Sequence, residues 1–174
     1  MCAHFEANPT NLFLRFSRNK LLDQYWPRLR TCVESLTDEQ IWWRPNASSN
    51  SIGNLILHLN GNVRQWLVNS FSKREDRRDR PAEFSAAGAM TGKELLGKLD
   101  GTIQEAGQVI DRLGEAELVA RYEIQGYNVL GLDAVYQVIE HFGLHYGQIA
   151  YITKMLSDQD LGFYKELSKT GRVD

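Results

Sequence analysis

The sequence predicts an all-α protein with the architecture of a four-helix bundle, and three observations favour this fold class. Four segments of roughly 20 residues or more carry apolar side chains at spacings of three and four, the pattern of an amphipathic helix. Two longer polar connections separate some of these segments, as the crossover connections of certain bundles require. Alternation of apolar and polar residues with a period of two, which predicts strands, is scarce along the chain.

The first two predicted helices occupy the N-terminal half of the chain. The first covers residues 11–36, and Pro27 should bend or split it because proline has no amide hydrogen to donate. A short helical turn and a loop follow. The second helix runs from about Ser51 to Phe71, with Ser51 or Asn50 as its N-cap residue.

The other two predicted helices follow a charged connection that contains proline and glycine. The third covers residues 91–114 and opens with a capping box formed by Thr91 and Glu94. The fourth spans residues 132–156, after a connection with some extended character. A short extra C-terminal helix near residues 161–169 completes the prediction.

The length and composition suit one globular domain, residues 1–174. A chain of this size buries enough apolar surface to fold without a disulfide framework or a structural metal, so a bound metal would serve chemistry. The net charge of −2 gives no overall attraction to nucleic acid or to an anionic membrane. We therefore expect no nucleic-acid partner and no membrane partner.

The cysteines and the N-terminal residues favour a cytoplasmic location. Only Cys2 and Cys32 are present, which agrees with a reducing compartment. The first ten residues lack a basic stretch followed by an apolar run, so no secretory signal is predicted. No apolar run reaches the roughly 18 residues that a membrane span needs.

Polar side chains interrupt the second predicted helix where burial is expected. In the stretch SIGNLILHLNGN, residues 51–62, Asn54, His58 and Asn62 are four residues apart and therefore lie near one face of the helix. The fourth predicted helix has a similar polar stripe, with His141 and His145 four residues apart and Gln148 three residues further on. These two stripes predict a polar cluster between the two helices.

Three imidazoles in such a cluster predict a site for a divalent metal with open positions, which is typical of catalytic sites. His58, His141 and His145 would be the ligands, and imidazole alone does not choose among zinc, nickel, iron and copper. We expect the amides of Asn54, Asn62 and Gln148 to hydrogen-bond the other ring nitrogens or a metal-bound water. The alternative is a set of hydrogen-bonded core histidines. A zincin-type protease is disfavoured because no glutamate follows the first histidine of the pair.

Three segments resemble a known family over about residues 12–164. SIGNLILHLNGNVRQW, RDRPAEF and HFGLHYGQIAYITKML are similar to the corresponding segments of the DinB-like superfamily. The resemblance implies a four-helix bundle with up-down-down-up connectivity that is often a homodimer. It also implies a divalent metal, most commonly nickel or zinc, held by three histidines at the positions of His58, His141 and His145. Relatives with an assigned activity are thiol-dependent, namely a mycothiol-dependent maleylpyruvate isomerase and bacillithiol S-transferases.

Three functions remain open at this point. The first is transfer of a small thiol cosubstrate, with Arg44, Arg78 and Arg80 as candidates for binding its carboxylates. The second is metal-dependent hydrolysis of a small-molecule substrate, for which Glu83 is the candidate general base. The third is a non-catalytic dimeric bundle whose histidines bind metal or serve structure alone. No residue is assigned as catalytic.

Two tryptophans precede the loop that leads to the second predicted helix. Trp42 and Trp43 either pack this connection against the bundle or line the mouth of a substrate pocket. Packing is the favoured interpretation, and Trp43 remains a candidate for substrate binding.

Overall fold

The computed structural model describes residues 8–158 and 160–165. Within these residues the chain forms seven helices and one β-hairpin, in the order α1 (residues 9–34), α2 (Asp38–Trp42), α3 (residues 52–72), α4 (Arg80–Ser85), α5 (Gly92–Ile110), α6 (Glu115–Val119), β1 (Arg121–Ile124), β2 (Tyr127–Leu130) and α7 (Gly131–Ser157). The long helices α1, α3, α5 and α7 form the predicted four-helix bundle.

Two of the long helices contain a π-helical segment. The segment in α1 is Lys20–Tyr25, and the one in α3 is Arg64–Asn69. Pro27 lies just after the first segment and does not split α1, since Tyr25 and Trp26 both keep helical backbone angles. The backbone amide of Trp26 donates to the carbonyl of Leu21, five residues back. The wider turn thus accommodates the proline, where a break or bend was predicted.

Helices α3 and α5 run parallel to each other. The side chain of Asn60 accepts a hydrogen bond from Thr102 at 2.7 Å, and one turn later Arg64 contacts Glu105 at 3.1 Å. Residue numbers therefore increase in the same direction along both helices. Residues 73–91 must cross the length of the bundle to connect them, and we call this segment, which includes α4, the crossing connection.

Contacts of α1 give the directions of the remaining helices. Arg18 pairs with Asp111 at 2.8 Å, and Trp26 donates to Asp100 at 2.9 Å, so α1 and α5 are antiparallel. Tyr25 stacks on Phe142 of α7, and Cys32 further along α1 contacts Thr153 further along α7, so these two helices are parallel; the ring centroids of the stacked pair are 6.2 Å apart. The connectivity is the predicted up-down-down-up.

The helix N-termini explain why the long helices begin where they do. The side chains of Ser51 and Thr91 each accept a hydrogen bond from the backbone amide three residues further on. The side chains of Asn54 and Glu94 in turn accept a hydrogen bond from the backbone amide of the capping residue. Both arrangements are capping boxes, which satisfy amides that have no partner within the helix. The predicted starts of α3 and α5 are thereby confirmed.

The connection before α7, for which some extended character was predicted, forms a β-hairpin. Strands β1 and β2 pair antiparallel across a two-residue turn of Gln125 and Gly126, whose φ angles of 54° and 80° suit a type I′ hairpin turn. Gly131 follows at the start of α7, where a Cβ would lie 2.1 Å from the carbonyl oxygen of Glu117. Only glycine fits this approach, which fixes α6 against α7.

The core is continuous among the four long helices and is filled by large apolar side chains that are almost fully buried: Leu21, Leu29, Ile41, Ile52, Ile56, Leu59, Leu67, Leu95, Leu99, Ile103, Phe142 and Ile149. No helix of the described residues is both long and apolar enough to cross a membrane. The extra C-terminal helix predicted near residues 161–169 is not seen at residues 161–164, and residues 166–169 lie outside the described residues.

Candidate metal centre

The three predicted histidines converge between α3 and α7. His58 Nε2 and His141 Nε2 are 2.9 Å apart, and one ring nitrogen from each of His58, His141 and His145 lies within 4.8 Å of the other two. The rings meet edge to face, with the His141 and His145 centroids 4.4 Å apart. Three nitrogen donors that face a common point are compatible with a divalent metal ion.

Burial favours the neutral form of His141 and His145, the form that metal ligation requires. Burial, with smaller effects of the neighbouring histidines, Arg78 and Arg80, lowers the pKa of His141 to about 4. Burial also lowers the pKa of His145, although its hydrogen bond with Gln148 partly opposes the shift. The lone pairs of these rings are therefore free of protons at neutral pH.

Glu83 fixes the orientation of His58 from the side opposite to the other histidines. His58 Nδ1 donates to Glu83 Oε2 at 2.9 Å, and Nε2, on the other side of the ring, faces His141. Arg78 binds the same carboxylate at both oxygens, at 2.7 and 2.9 Å. Burial tends to raise the pKa of Glu83, but the hydrogen bonds from His58 and Arg78 prevail and hold that pKa below its usual value. The arrangement matches the carboxylate–histidine pairs that orient metal ligands.

Further residues support this pair and were not predicted. Gln65, in the π-helical segment of α3, accepts a hydrogen bond from Arg78 Nη1 at 2.9 Å and donates to Asp76. At Gly61 a Cβ would lie 1.9 Å from Glu83 Oε1 and 2.7 Å from Arg78 Nε. Gly61 was the feature of the sequence that indicated this close packing, because it interrupts a stripe of larger residues. It lies three residues after His58 and four before Gln65.

Asn54 and Arg44 hold the crossing connection in place, and neither contacts a histidine ring in the hydrogen bonds of the described residues. The Asn54 amide nitrogen donates to the carbonyls of Glu83 and Ala86, at 2.9 Å each. Arg44 donates to the Asn54 oxygen at 2.7 Å and to the carbonyl of Phe84 at 3.0 Å. A hydrogen bond of Asn54 to a ring nitrogen or to a metal-bound water was predicted; its hydrogen bonds among the described residues are those of the capping box and of the crossing connection.

The other two predicted amides lie next to the histidines in different ways. Gln148 Oε1 is 2.7 Å from His145 Nδ1, which places it as the acceptor for that ring nitrogen. Asn62 lies one turn beyond His58 and is 5% exposed, and its Oδ1 has no hydrogen-bond partner among the described residues. A buried oxygen without a partner is costly, so Asn62 has an unused acceptor close to the cluster.

Arg80 and Phe84 flank the cluster on the side of the crossing connection. The Phe84 ring packs on His58 at 4.8 Å between centroids, and the Arg80 guanidinium lies 5.0 Å from the centroid of Phe84. Arg80 is exposed and has no carboxylate partner among the ion pairs of the described residues. Its cation is therefore available to an anionic molecule that approaches the histidines.

The two tryptophans have separate environments. Trp42 donates to the carbonyl of Met90 at 2.7 Å and contacts Gly53, so it packs the first connection against the bundle. Trp43 is 38% exposed and lines a cavity of about 390 Å³ together with Gln148, the neighbour of His145.

The comparisons with known proteins agree with this fold. No curated protein matches the chain. A conserved protein from Enterococcus faecalis has a structure similar to 83% of this chain and 97% of its own, with a TM-score of 0.71 and 14% identity. A DinB-like protein from Bacillus cereus ATCC 10987 is similar over 76% of this chain and 85% of its own, with a TM-score of 0.61 and 10% identity.

The family model that matches the sequence covers nearly the whole of the described chain. It spans residues 8–168 and is that of the DUF1572 family, which is described as proteins of unknown function. The match includes all three histidines and the crossing connection. The predicted resemblance to DinB-like proteins is confirmed in the fold, and the chain belongs to the DUF1572 family.

Proposed function

We propose that this protein is a metal-dependent enzyme that transfers a small thiol. The observation that carries the proposal is the convergence of three imidazoles, one of them oriented by a buried carboxylate. A divalent metal, with nickel or zinc favoured by the resemblance, would supply a Lewis acid that deprotonates a thiol cosubstrate. His58, His141 and His145 would hold it.

The protein's own residues would bind and orient the reactants. Arg80 is the best placed cation, because Arg78 and Arg44 already bind Glu83 and backbone carbonyls. We propose that Arg80 binds a carboxylate of the thiol or of the electrophile, while Phe84 and the half-buried cluster limit access of water. In the reaction the thiol gives its proton to water, its sulfur forms a bond to the carbon of the electrophile, and the leaving group departs with the bonding electrons.

The attacking sulfur belongs to a cosubstrate in this proposal. Cys32 is fully buried in α1, and burial raises the pKa of its thiol to about 11. A buried thiol of this kind is inert at neutral pH. Cys2 lies outside the described residues. A small thiol of a reducing cytoplasm is therefore the proposed nucleophile.

Metal-dependent hydrolysis is the second candidate, and the environment of Glu83 counts against it. A general base needs a free lone pair and a pKa near the working pH. Both oxygens of Glu83 are already bound, and the pKa of this carboxyl is lowered. Glu83 is better suited to orient His58 than to accept a proton from water.

The metal site is tested by replacing each histidine with alanine. Elemental analysis of untagged protein should find about one divalent metal per chain in the wild type, and titration should find it bound at least tenfold more weakly in His58→Ala, His141→Ala and His145→Ala. Gln108→Ala is the control, since Gln108 is exposed on α5 and belongs to neither helix that supplies the histidines. Undiminished metal binding in any of the three variants would remove that histidine from the ligand set.

The source of the sulfur is tested with a variant that has no cysteine. Cys2→Ser with Cys32→Ala should keep transferase activity towards an electrophile when small thiols are supplied, and a chelator should abolish it. Activity that disappears while metal remains bound would overturn the cosubstrate mechanism. Activity that survives confirmed metal removal would place catalysis elsewhere.

We also propose that the protein is a homodimer. Large apolar side chains are exposed along α7, at Leu132, Tyr136, Leu144, Tyr151 and Met155. Exposed apolar surface of this kind marks an interaction site more often than a free surface. Sedimentation should give a dimer for the wild type and a monomer for Leu144→Lys. A monomeric wild type would contradict the proposal.

A further inference from the structure

We propose that the cavity beside Gln148 receives the electrophile of the reaction, and that it binds an uncharged aromatic or aliphatic body. This cavity has a volume of about 390 Å³ and lies between the start of α3, the last turns of α7 and the loop of residues 43–50. Its volume falls in the range of known ligand pockets. The role of the occupant as an electrophile rests on the proposed thiol transfer, whereas the binding of an apolar molecule does not.

The cavity lies about one turn of helix away from the candidate metal centre. Leu55, three residues before His58 in α3, and Gln148, three residues after His145 in α7, both line it. These two helices are antiparallel, so both offsets lead in the same direction from the histidines. Gln148 Oε1 is also 2.7 Å from His145 Nδ1. An occupant that contacts Gln148 would therefore lie one side chain away from His145.

Large apolar side chains that are exposed to solvent surround the cavity. Trp43 is 38% exposed, Tyr151 67% and Met155 52%, and all three line it. Leu55 and Ile152 contribute to the lining from the side of the core. Single exposed apolar residues are ordinary, but several that converge on one concave surface mark a binding groove. A molecule with an apolar body would cover this surface.

The described residues that line the cavity carry no charge. Arg44 directly follows Trp43 in the sequence. Its guanidinium donates to Asn54 and to the carbonyl of Phe84, and it does not line the cavity. Burial of a charge without a partner is costly, so the cavity favours an uncharged body. A negative group of the same molecule would bind Arg80 instead.

The loop that forms one wall of the cavity is held in its conformation by Asn46. The side-chain oxygen of Asn46 accepts hydrogen bonds from the backbone amide of Ser48 and from the hydroxyl of Ser49, at 3.0 Å each. The backbone amide of Ser49 donates to the Asn46 carbonyl at 3.2 Å. The wall is therefore formed before a molecule binds, which lowers the entropic cost of binding.

A neutral fluorescent molecule tests the cavity without any reaction. N-Phenyl-1-naphthylamine should bind the full-length protein saturably, and more tightly than 1-anilinonaphthalene-8-sulfonate, which has nearly the same body and a negative charge. Tyr151→Ser should weaken binding of the neutral molecule by roughly tenfold. Tyr136→Ser is the matched control, because Tyr136 is 60% exposed on the same helix and does not line the cavity. Tighter binding of the sulfonate, or equal effects of the two substitutions, would overturn the proposal.

A second pair of variants tests the location by filling the cavity. Ser48→Trp should weaken binding of the neutral molecule, whereas Ala47→Trp, at the preceding residue and outside the lining, should not. Both positions are exposed, so both variants should unfold at the temperature of the wild type. Equal effects of the two would overturn the proposal. Binding that weakens as the protein associates at high concentration would identify a second copy of the chain as the occupant and would also overturn it.

Steady-state kinetics test whether the occupant is the electrophile. When a thiol reacts with 1-chloro-2,4-dinitrobenzene, the thiol gives its proton to water, the sulfur–carbon bond forms, and chloride leaves with the electrons of the carbon–chlorine bond. Tyr151→Ser should raise KM for this aromatic electrophile by roughly tenfold, with a much smaller effect on KM for chloroacetamide, which has no apolar body. N-Phenyl-1-naphthylamine should compete with the aromatic electrophile and not with the thiol.

Two outcomes separate this proposal from the proposed function. Turnover with an unchanged KM in Tyr151→Ser, or competition of the neutral molecule with the thiol, would overturn the electrophile as the occupant and leave thiol transfer intact. Absence of turnover with every small thiol, while Tyr151→Ser still weakens binding of the neutral molecule, would overturn thiol transfer and support the cavity as an apolar binding site.

Discussion

The carboxylate of Glu83 is bound by His58 and by two nitrogens of Arg78, and all three side chains are buried. A buried ion pair gains little stability over apolar packing, yet removing one partner is costly because the other charge remains without compensation. The pair is therefore best understood through its effect on His58. It fixes the proton on Nδ1 and leaves Nε2 free to bind a metal.

Substitution of Glu83 should weaken metal binding more than substitution of a carboxylate that contacts no histidine. We expect Glu83→Ala to weaken metal binding by roughly 10–100-fold, because His58 loses the acceptor for its Nδ1 proton. Glu83→Gln keeps an acceptor oxygen and should weaken it less. Isothermal titration with nickel and zinc measures both variants. Glu105→Gln, a half-exposed carboxylate paired with two arginines, is the control, and an equal effect there would contradict the orienting role.

Asn62 and Gln148 should differ in what they contribute. Asn62→Leu should make the metal-free protein more stable, because it removes a buried oxygen without a partner, and should weaken metal binding if that oxygen serves a metal-bound water. Gln148→Leu should weaken metal binding with little effect on stability, since Gln148 is exposed and contacts His145. Chemical denaturation and metal titration separate the two quantities. Unchanged metal affinity in both variants would show that these residues have only a structural role.

At the level of secondary-structure elements, irregular segments bring the supporting residues to the histidines. The π-helical segment of α3 carries Gln65, which binds Arg78, and the one in α1 ends at Tyr25, which stacks on Phe142 beside His141. π-helical turns occur frequently at functional sites. The crossing connection supplies Arg78 and Glu83. The chemistry of the site therefore depends on the irregular parts of the bundle as much as on its regular helices.

Substitution of Gly61 tests whether the crossing connection must lie close to α3 for the metal to bind. Gly61→Ala should displace Glu83 and Arg78, because the added Cβ would meet both side chains, and metal binding should weaken although no ligand is altered. Gly97→Ala is the matched control, since nothing lies within 4 Å of its Cβ position in α5. That substitution should stabilise the protein by about 0.5–1 kcal/mol. Thermal unfolding and metal titration check both, and normal metal affinity in Gly61→Ala would contradict the prediction.

At the scale of the whole molecule, the continuous core should keep the bundle folded after metal is removed, and its stability should depend on pH. The pKa of His141 is about 4 in the folded protein and near 6.5 when unfolded, so the unfolded chain binds more protons between these values. The free energy of unfolding should therefore fall as the pH drops from 6.5 towards 4. The lowered pKa of Glu83 acts in the same direction below about 4.5.

The measurement is chemical denaturation of the chelator-treated protein at several pH values. His141→Gln should show a shallower decline than the wild type, and Gln108→Ala, at an exposed position of α5, should match the wild type. A decline of equal slope in His141→Gln would show that other groups cause the pH dependence. Loss of helical circular dichroism on chelation at neutral pH would contradict a fold that is independent of metal.

The sequence predicted those features that follow from local patterns. The four long helices, the caps at Ser51 and Thr91 and the convergence of the histidines all result from spacing along single helices. Of the hairpin only some extended character was predicted, and α4, α6 and the π-helical segments were missed, since short elements in polar connections depend on distant packing. Asn54 shows what cannot be predicted from local patterns. Its position on the histidine face was right, but its hydrogen bonds depend on a connection that folds back from residues 83–86.

The candidate centre is built from two segments that are far apart in the sequence, and these segments are therefore synthesised at different times. Segment 52–86 contains His58, Arg78 and Glu83, whereas His141 and His145 are contributed by the last long helix. During synthesis on the ribosome, the first part can place one imidazole and its carboxylate long before the other two imidazoles exist. A nascent chain that ends before α7 carries a single member of the cluster. Metal loading would accordingly be an event of the completed fold, and a shortened chain released early would be unable to compete with the finished protein for scarce metal.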